Sequence, residues 1–457
     1  MIATRARIGF RITCSILLLA SCAPVADARG GEPKWSEVLS PTGRTVTLPP
    51  PREKVTWPSD VPDALRIARA ENRPLFVTLR CLPCKQCSAF DKNVLEGGPA
   101  LDPLLKQFVT VRLTDAQAVD LRLLPMEGFQ DFDLSWWGWL LSPEGKVYSV
   151  FGGRDEVSDE TRISVPALAA TLKRVLEHHY DPRPQAHALD GPAPQLEGTP
   201  KTPKDLPGYA SWHDRGGPEV KAATCIHCHQ VGEIVRQPAV DLKQFDKRRD
   251  FDVWPLPENV GLTVDRDHGL LVTKVAPGSA AEKAGMKAGD ELAGAGGRRL
   301  FGQADFRGVL HRGPRDAGSI DAAWLRDGAV KSGTLNVPDG WRKTVLDWRM
   351  SVSQGNVGAG PDFFPLAFKP DKRKAYGIAE GAMAVEPYLW NESAAKRAGL
   401  RGSDCVIAVD GQSPDVAGRG FLVWFRQHHE PGDEVTFTVK DTTGKERKVT
   451  YRVGAAG

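Results

Sequence analysis

The chain has 457 residues, 60 Lys and Arg against 57 Asp and Glu, a formal net charge of +3 and 8 Cys. That length provides for three or four domains, each with a core of its own. The near balance of charge removes any electrostatic drive toward nucleic acid, and so few cysteines in so long a chain exclude a disulfide-stapled scaffold.

The N-terminus reads as a targeting segment. Arg5, Arg7 and Arg11 form a basic region, and Ile12 to Ala20 form an apolar run too short to span a bilayer as a stable helix. Leu19-Ala20-Ser21-Cys22 then has the form of a lipobox. Residues 1–21 would leave as a lipoprotein signal peptide, taking three Arg and no acid with them, so the mature chain is charge-neutral. A diacylated Cys22 would anchor it to the membrane. Cleavage of an ordinary signal peptide after Ala26 or Ala28 is the alternative. The expected location is the bacterial cell envelope, as a periplasm-facing lipoprotein. Residues 22–55, rich in Pro, Gly and charge, read as a tether.

Ala64, Leu65, Ile67 and Ala68 share one face of a helix predicted over 62–70. A buried strand is predicted at 74–80, followed by Cys81-Leu82-Pro83-Cys84-Lys85 and a helix continuing through Ala89, Phe90, Val94 and Leu95. A second strand falls at 108–113. A hairpin joins Trp136–Leu141 to Lys146–Phe151 around Pro143-Glu144-Gly145, and Leu168, Leu172 and Leu176 mark a helix over 165–180. In this order of elements, and in its Cys-x-Pro-Cys-Lys sequence, residues 56–182 resemble the thioredoxin family. The resemblance implies redox chemistry at Cys81 and Cys84. A thiol at a helix N-terminus faces unpaired N–H groups that favour thiolate. Cys81 would attack a disulfide or peroxide and Cys84 would resolve the mixed disulfide. Two features depart from the family. The cis-proline expected just before the hairpin is replaced at Trp136, and Cys87 adds a third cysteine, as an alternative resolving thiol or a metal ligand.

Residues 183–208, with Pro184, Pro192, Pro194, Pro200, Pro203 and Pro207, read as a linker with polyproline II character. In the segment 209–252, Cys225-Ile226-His227-Cys228-His229 has the c-type haem attachment spacing. Two thiols three residues apart can add across the two vinyl groups of one haem, with His229 as axial ligand to the haem iron. A disulfide, or half of a zinc site, is the alternative, with zinc or no cofactor in place of covalent haem c. His213 is a candidate for the other iron face, whereas His227 is not expected to reach the iron.

The last 200 residues carry one pattern twice. Gly269-Leu270-Leu271-Val272 leads to Ser279-Ala280-Ala281-Glu282-Lys283-Ala284-Gly285-Met286, then Gly289-Asp290. Gly381-Ala382-Met383-Ala384-Val385 leads to Ser393-Ala394-Ala395-Lys396-Arg397-Ala398-Gly399-Leu400, then Ser403-Asp404. These copies resemble the bacterial PDZ family, over 253–338 and 373–456, with 339–372 as a linker. The resemblance implies binding of extended peptides by strand addition, with carboxylate loops at Gly261-Leu262 and Gly377-Ile378. A spacer or dimer surface is the alternative. No Gly-x-Ser-x-Gly element stands upstream to make the chain a serine protease.

The expected fold class is therefore multidomain, α/β and mostly-β: a thioredoxin-like domain, a short haem-type helical segment and two PDZ domains. The combination, with Trp341-Arg342 and Trp348-Arg349 between the copies, resembles a group of bacterial thioredoxin/PDZ (seleno)proteins, some of which place selenocysteine at the redox site. The expected function is a membrane-anchored thiol–disulfide redox or electron-transfer protein whose PDZ modules recruit exported or envelope proteins. A non-enzymatic scaffold with structural, sensory or metal-binding cysteines is the alternative.

Overall fold

The computed structural model describes residues 35–39, 46–80, 95, 98–134, 136–153, 164–216, 220–221, 225–353, 355 and 357–455. The signal segment, Cys22, and Cys81, Cys84 and Cys87 lie outside the described residues.

The first sheet grows around β1 (Leu75–Arg80), whose first five residues are all buried. An unbroken apolar run suits a strand covered on both faces rather than an alternating one. β2 (Val109–Leu113) pairs with it in parallel, β3 (Trp136–Leu141) antiparallel, and β4 (Val147–Gly153) lies outside β3, giving the order β2-β1-β3-β4. Helix α1 (Val61–Glu71) starts where the Asp60 carboxylate accepts from the Asp63 amide at 2.8 Å, and it buries Val61, Ala64, Leu65 and Ala68. Helix α2 (Val165–His179) is capped by Ser164 and buries Leu168, Leu172, Val175 and Leu176. Trp136, Trp137 and Trp139 fill the core in edge-to-face contacts, Trp136 against Phe76 and Phe151, and Trp137 against Phe132 and Trp139.

The Pro-rich segment is not a free spacer. Gly191 N donates to Val147 O at 2.7 Å, Gln195 N to Arg122 O at 3.1 Å, and Leu121 N to Lys201 O at 2.8 Å. Two of its amides and one of its carbonyls thus bond to the domain of the first sheet, which fixes the path that composition alone leaves open. Helices α3 (Tyr209–Arg215) and α4 (Cys228–Asp241) then add Trp212, Cys228, Val231 and Ile234 to the same apolar core, with Ile226 from the segment before α4.

Two further modules follow, each with a core of its own. The first contains β5 (Leu262–Val264) paired with β6 (Val272–Val275). Its second sheet combines β7 (Glu291–Ala295), β8 (Arg298–Arg299), β9 (Gly318–Arg326) and β10 (Ala329–Val337) in the order β10-β9-β7-β8, with helix α5 (Gln303–Arg312). The second pairs β11 (Ala359–Gly360) with the last strand. It builds a sheet of β12 (Phe364–Ala367), β13 (Val385–Tyr388), β14 (Cys405–Val409), β15 (Glu434–Lys440) and β16 (Glu446–Arg452), with helix α6 (Gly418–His428) and β17 (Gly454–Ala455). This module begins near residue 359 rather than 373. The helical insertion Pro370–Ala375 separates its first strands from the repeated pattern and hides them from the sequence.

The repeat has a physical origin. Ser279 and Ser393 cap one-turn helices by accepting from Glu282 N and Lys396 N. Gly285 and Gly399 end those turns at φ of 92° and 96°, a conformation that costs glycine little. Asp290 and Asp404 accept from Lys287 N and Arg401 N, both at 2.7 Å, and each carboxylate is paired with a strand arginine, Arg326 and Arg447.

Candidate redox and haem-type site

Although the three clustered cysteines lie outside the described residues, their frame is present. β1 is the central strand, and Arg80, its last residue, directly precedes Cys81. In the antiparallel register Arg80 faces Trp136, the first residue of β3. The strand end that leads into Cys81 thus lies beside the residue that replaces proline in the expected motif.

The second cysteine pair sits at the start of α4. Cys225 is half-buried with a free thiol, and Cys228 is 7% exposed at the first turn. His227 precedes the helix, its backbone N–H donating to Gln230 Oε1 at 2.8 Å. The His227 and His229 rings stack 5.8 Å apart at 8°, and burial with His229 nearby depresses the His227 pKa. Nδ1 of His229 lies 3.3 Å from Glu233 Oε1, and Trp212 Nε1 donates to Glu233 Oε2 at 2.9 Å. A carboxylate that holds Nδ1–H leaves Nε2 as the lone pair for a metal. His229 therefore fits an axial haem ligand, and half-buried Cys225 fits a thioether, whereas the Cys228 side chain is packed into the core. The donor atoms of Cys225, Cys228 and His229 do not converge within 4.8 Å of one another, as a ready-made zinc site would have them. His213 stacks on Tyr209 at 5.7 Å and lies 3.7 Å from Asp214. The part played by Glu233 and Trp212 escaped the sequence reading, although Glu233 lies one helical turn after His229.

Gly261 has φ of 90°, donates to Glu258 O at 3.0 Å, and would bring a Cβ to 2.1 Å from that of Ser279. Glycine is thus required there twice over, and fully buried Leu262 opens β5 directly after it. Gly377 and Ile378 are placed differently. They close the helical turn 370–375, with Gly377 N bonded to Lys374 O and Ile378 N to Arg373 O, on the connection between β12 and β13. The segment that leads into β12, Gly360 to Phe363, holds the position that Gly261 holds before β5. On the first module, α5 turns its outer side to β4: Asp305 accepts from Ser149 Oγ at 2.8 Å and from Val150 N at 3.1 Å.

Residues 56–126 match the family described as Thioredoxin-like. No curated protein matches the chain. Solved structures similar to part of it include the HtrA-type protease AlgW with a decapeptide, at 20% identity and a TM-score of 0.20 over 30% of this chain and 42% of that one. A substituted form of the same protease with a decapeptide gives 18%, 0.21, 30% and 41%. The chain spans less than half the length of those proteases, and likeness at that level carries no argument about activity. The molecule is a mixed α/β multidomain protein with a thioredoxin-like domain at residues 56–126.

Proposed function

We propose that this protein is an extracytoplasmic, lipid-anchored thiol–disulfide redox protein whose PDZ-like modules recruit exported or envelope proteins. The observation that carries the reading is the place of Cys81-Leu82-Pro83-Cys84, directly after the central strand of a domain that matches the thioredoxin-like family. The Cys81 thiolate attacks one sulfur of a substrate disulfide. The substrate S–S bond breaks, a mixed disulfide forms, and the departing sulfur takes up a proton. Cys84 then attacks the Cys81 sulfur, releases the second substrate thiol and leaves a Cys81–Cys84 disulfide, which an external dithiol reduces. Cys87 is the alternative resolving thiol.

Haem c is the proposed cofactor, bound by Cys225, Cys228 and His229, and it would supply one-electron transfer. The support for it is the spacing of the motif and the Glu233 carboxylate that orients His229. Partner recruitment is supported at the second module, where β12 is an edge strand open to strand addition. Anchoring through Cys22 rests on the lipobox, and no helix among the described residues is long and apolar enough to cross a membrane.

The decisive experiment uses the full mature chain. Cys84→Ser with Cys87→Ser should trap a mixed disulfide through Cys81 with a small disulfide substrate, and a further Cys81→Ser should abolish it; absence of any Cys81 adduct in the double variant overturns the redox reading. A Soret band that stays with the denatured chain and vanishes in Cys225→Ala establishes the haem, and a colourless protein from a haem-attaching host removes it. The scaffold reading predicts no reactive thiolate at Cys81.

A further inference from the structure

The end of α2 and the Pro-rich segment after it bring three ligand-type side chains together. His178 lies in the last turn of α2, His187 ends the 3-10 turn Pro184–His187, and Asp190 follows three residues later. Their donor atoms lie within 4.8 Å of one another, the one such trio among the described residues. We propose that His178, His187 and Asp190 form a binding site for a divalent transition-metal ion of the zinc type, which clasps the Pro-rich segment to the thioredoxin-like domain.

The geometry is that of a site organised before any ion arrives. Nε2 of His178 lies 2.6 Å from Asp190 Oδ1, and Nδ1 of His187 lies 3.6 Å from Asp190 Oδ2. Ligand bonds of about 2.0–2.2 Å around a tetrahedral ion set neighbouring donors roughly 3.4 Å apart, and the two observed separations bracket that value. The outer shell is in place at His187. His187 Nε2 lies 3.0 Å from the Asp181 carbonyl, so the proton belongs on Nε2. That leaves the Nδ1 lone pair facing a carboxylate oxygen, two acceptors that need a cation between them. His178 is fully buried, and its other nitrogen has no hydrogen-bond partner. Its ring is held by packing, with Tyr148 at 5.0 Å and Phe301 at 5.1 Å between ring centroids. Exposure of 28% at the His187 side chain gives an ion its entry and leaves room for water as a fourth ligand.

The donor set selects the ion. Two imidazoles and one carboxylate suit zinc and its neighbours, whereas calcium and magnesium prefer all-oxygen sites. Arg299 acts on His178 electrostatically, and a site with one carboxylate beside an arginine disfavours weakly coordinated hard cations further.

The test uses the full mature chain, stripped of metal by a chelator, with Cys81, Cys84, Cys87, Cys225 and Cys228 changed to Ser so that no thiolate competes. Cobalt(II) is the probe, because its visible bands report ligand type and zinc displaces it. The expected result is one tight cobalt per chain, without thiolate charge-transfer absorption, displaced by zinc and not by magnesium. Asp190→Asn and His187→Ala should each weaken binding at least tenfold while leaving the far-ultraviolet circular dichroism of the metal-free protein unchanged. Absence of cobalt binding in the chain with those five cysteines replaced overturns the proposal and leaves a proton as the cation between the groups. Binding that survives both substitutions, or equal displacement by magnesium, also overturns it. Asp190→Asn keeps the side-chain shape, so it remains informative if His187→Ala fails to fold.

Discussion

Arg349 and Asp131, 218 residues apart, meet in two hydrogen bonds of 2.7 and 3.0 Å with both side chains sealed from water. Asp133 joins them, accepting from Arg349 at 3.2 Å and from the Ser351 amide at 2.7 Å. Arg307, on α5 of the first C-terminal module, approaches Asp131 at 3.5 Å. The stretch between the two C-terminal modules thus returns to the domain of the first sheet and is locked there by buried charge. Burial by itself raises the Asp131 pKa, but Arg349, Arg307 and the hydrogen bonds to the carboxylate together hold it below its usual range.

Breaking this cluster from one side leaves unpaired charge in the interior. Arg349→Met should destabilise the protein by about 3–5 kcal/mol, because two carboxylates lose their cation without regaining water. Asp131→Asn placed on top of Arg349→Met should recover part of that loss, since it removes one stranded charge. Urea unfolding of the single and double variants measures the coupling, and additive effects would show that the pair contributes nothing specific.

His311 predicts how stability varies with pH. Its Nδ1 accepts from Trp254 N at 3.3 Å and lies 3.2 Å from Arg342 Nη2, and its ring stacks on Trp254 at 4.8 Å. Burial, with Arg342 beside it, depresses the pKa to about 3. The folded state therefore keeps His311 neutral while the unfolded chain takes up a proton near pH 6.5. Its contribution is fully present above pH 6.5 and declines as pH falls toward 3, amounting to about 2 kcal/mol by pH 5. Comparison of urea midpoints at pH 7 and pH 5 should show at least this loss, and His311→Gln should remove its share while that of other buried histidines such as His178 stays. A variant with an unchanged pH slope would contradict the assignment.

Asp305 holds the first C-terminal module to the domain of the first sheet. One carboxylate accepts from Ser149 Oγ and Val150 N across the contact, and from Phe301 N and Gly302 N at the start of α5. Asp305→Ala leaves those donors buried and unpaired, at a cost of about 3 kcal/mol. Hydrogen exchange should accelerate at Val150 and at the first turn of α5, with Leu79 on the central strand unchanged.

Sequence periodicity marked the elements whose burial is set locally. The Leu168, Leu172 and Leu176 spacing and the Leu75 to Leu79 run both became what their patterns imply, because one face or two must leave water whatever the rest of the chain does. The paired Ser, Gly and Asp positions of the two C-terminal modules were legible for a similar reason, since each residue caps its own turn. What stayed hidden depends on distant partners. Nothing near Arg349 announces Asp131, nothing near His187 announces His178, and the prolines around 183–208 conceal amides that bond to the preceding domain. The Gly377-Ile378 assignment shows the reverse hazard: a short glycine-containing motif there closes a helix.

The thiols offer a last prediction, because their environments differ. Cys405 is fully buried in β14, and burial pushes its pKa up to about 12. Cys225 is half-buried just before α4. Thiolate is the reactive species, so iodoacetamide at pH 8 should leave Cys405 unmodified in the native protein and label it only after unfolding. Cys225 should be modified in the native state when no haem is attached and be protected when haem is. Peptide mass spectrometry of chains made with and without haem-attachment machinery reads both sites at once. Labelling of native Cys405 would mean that the β13–β14–β15 sheet opens on the labelling timescale, whereas Cys225 labelled alike in the two preparations would separate it from the cofactor.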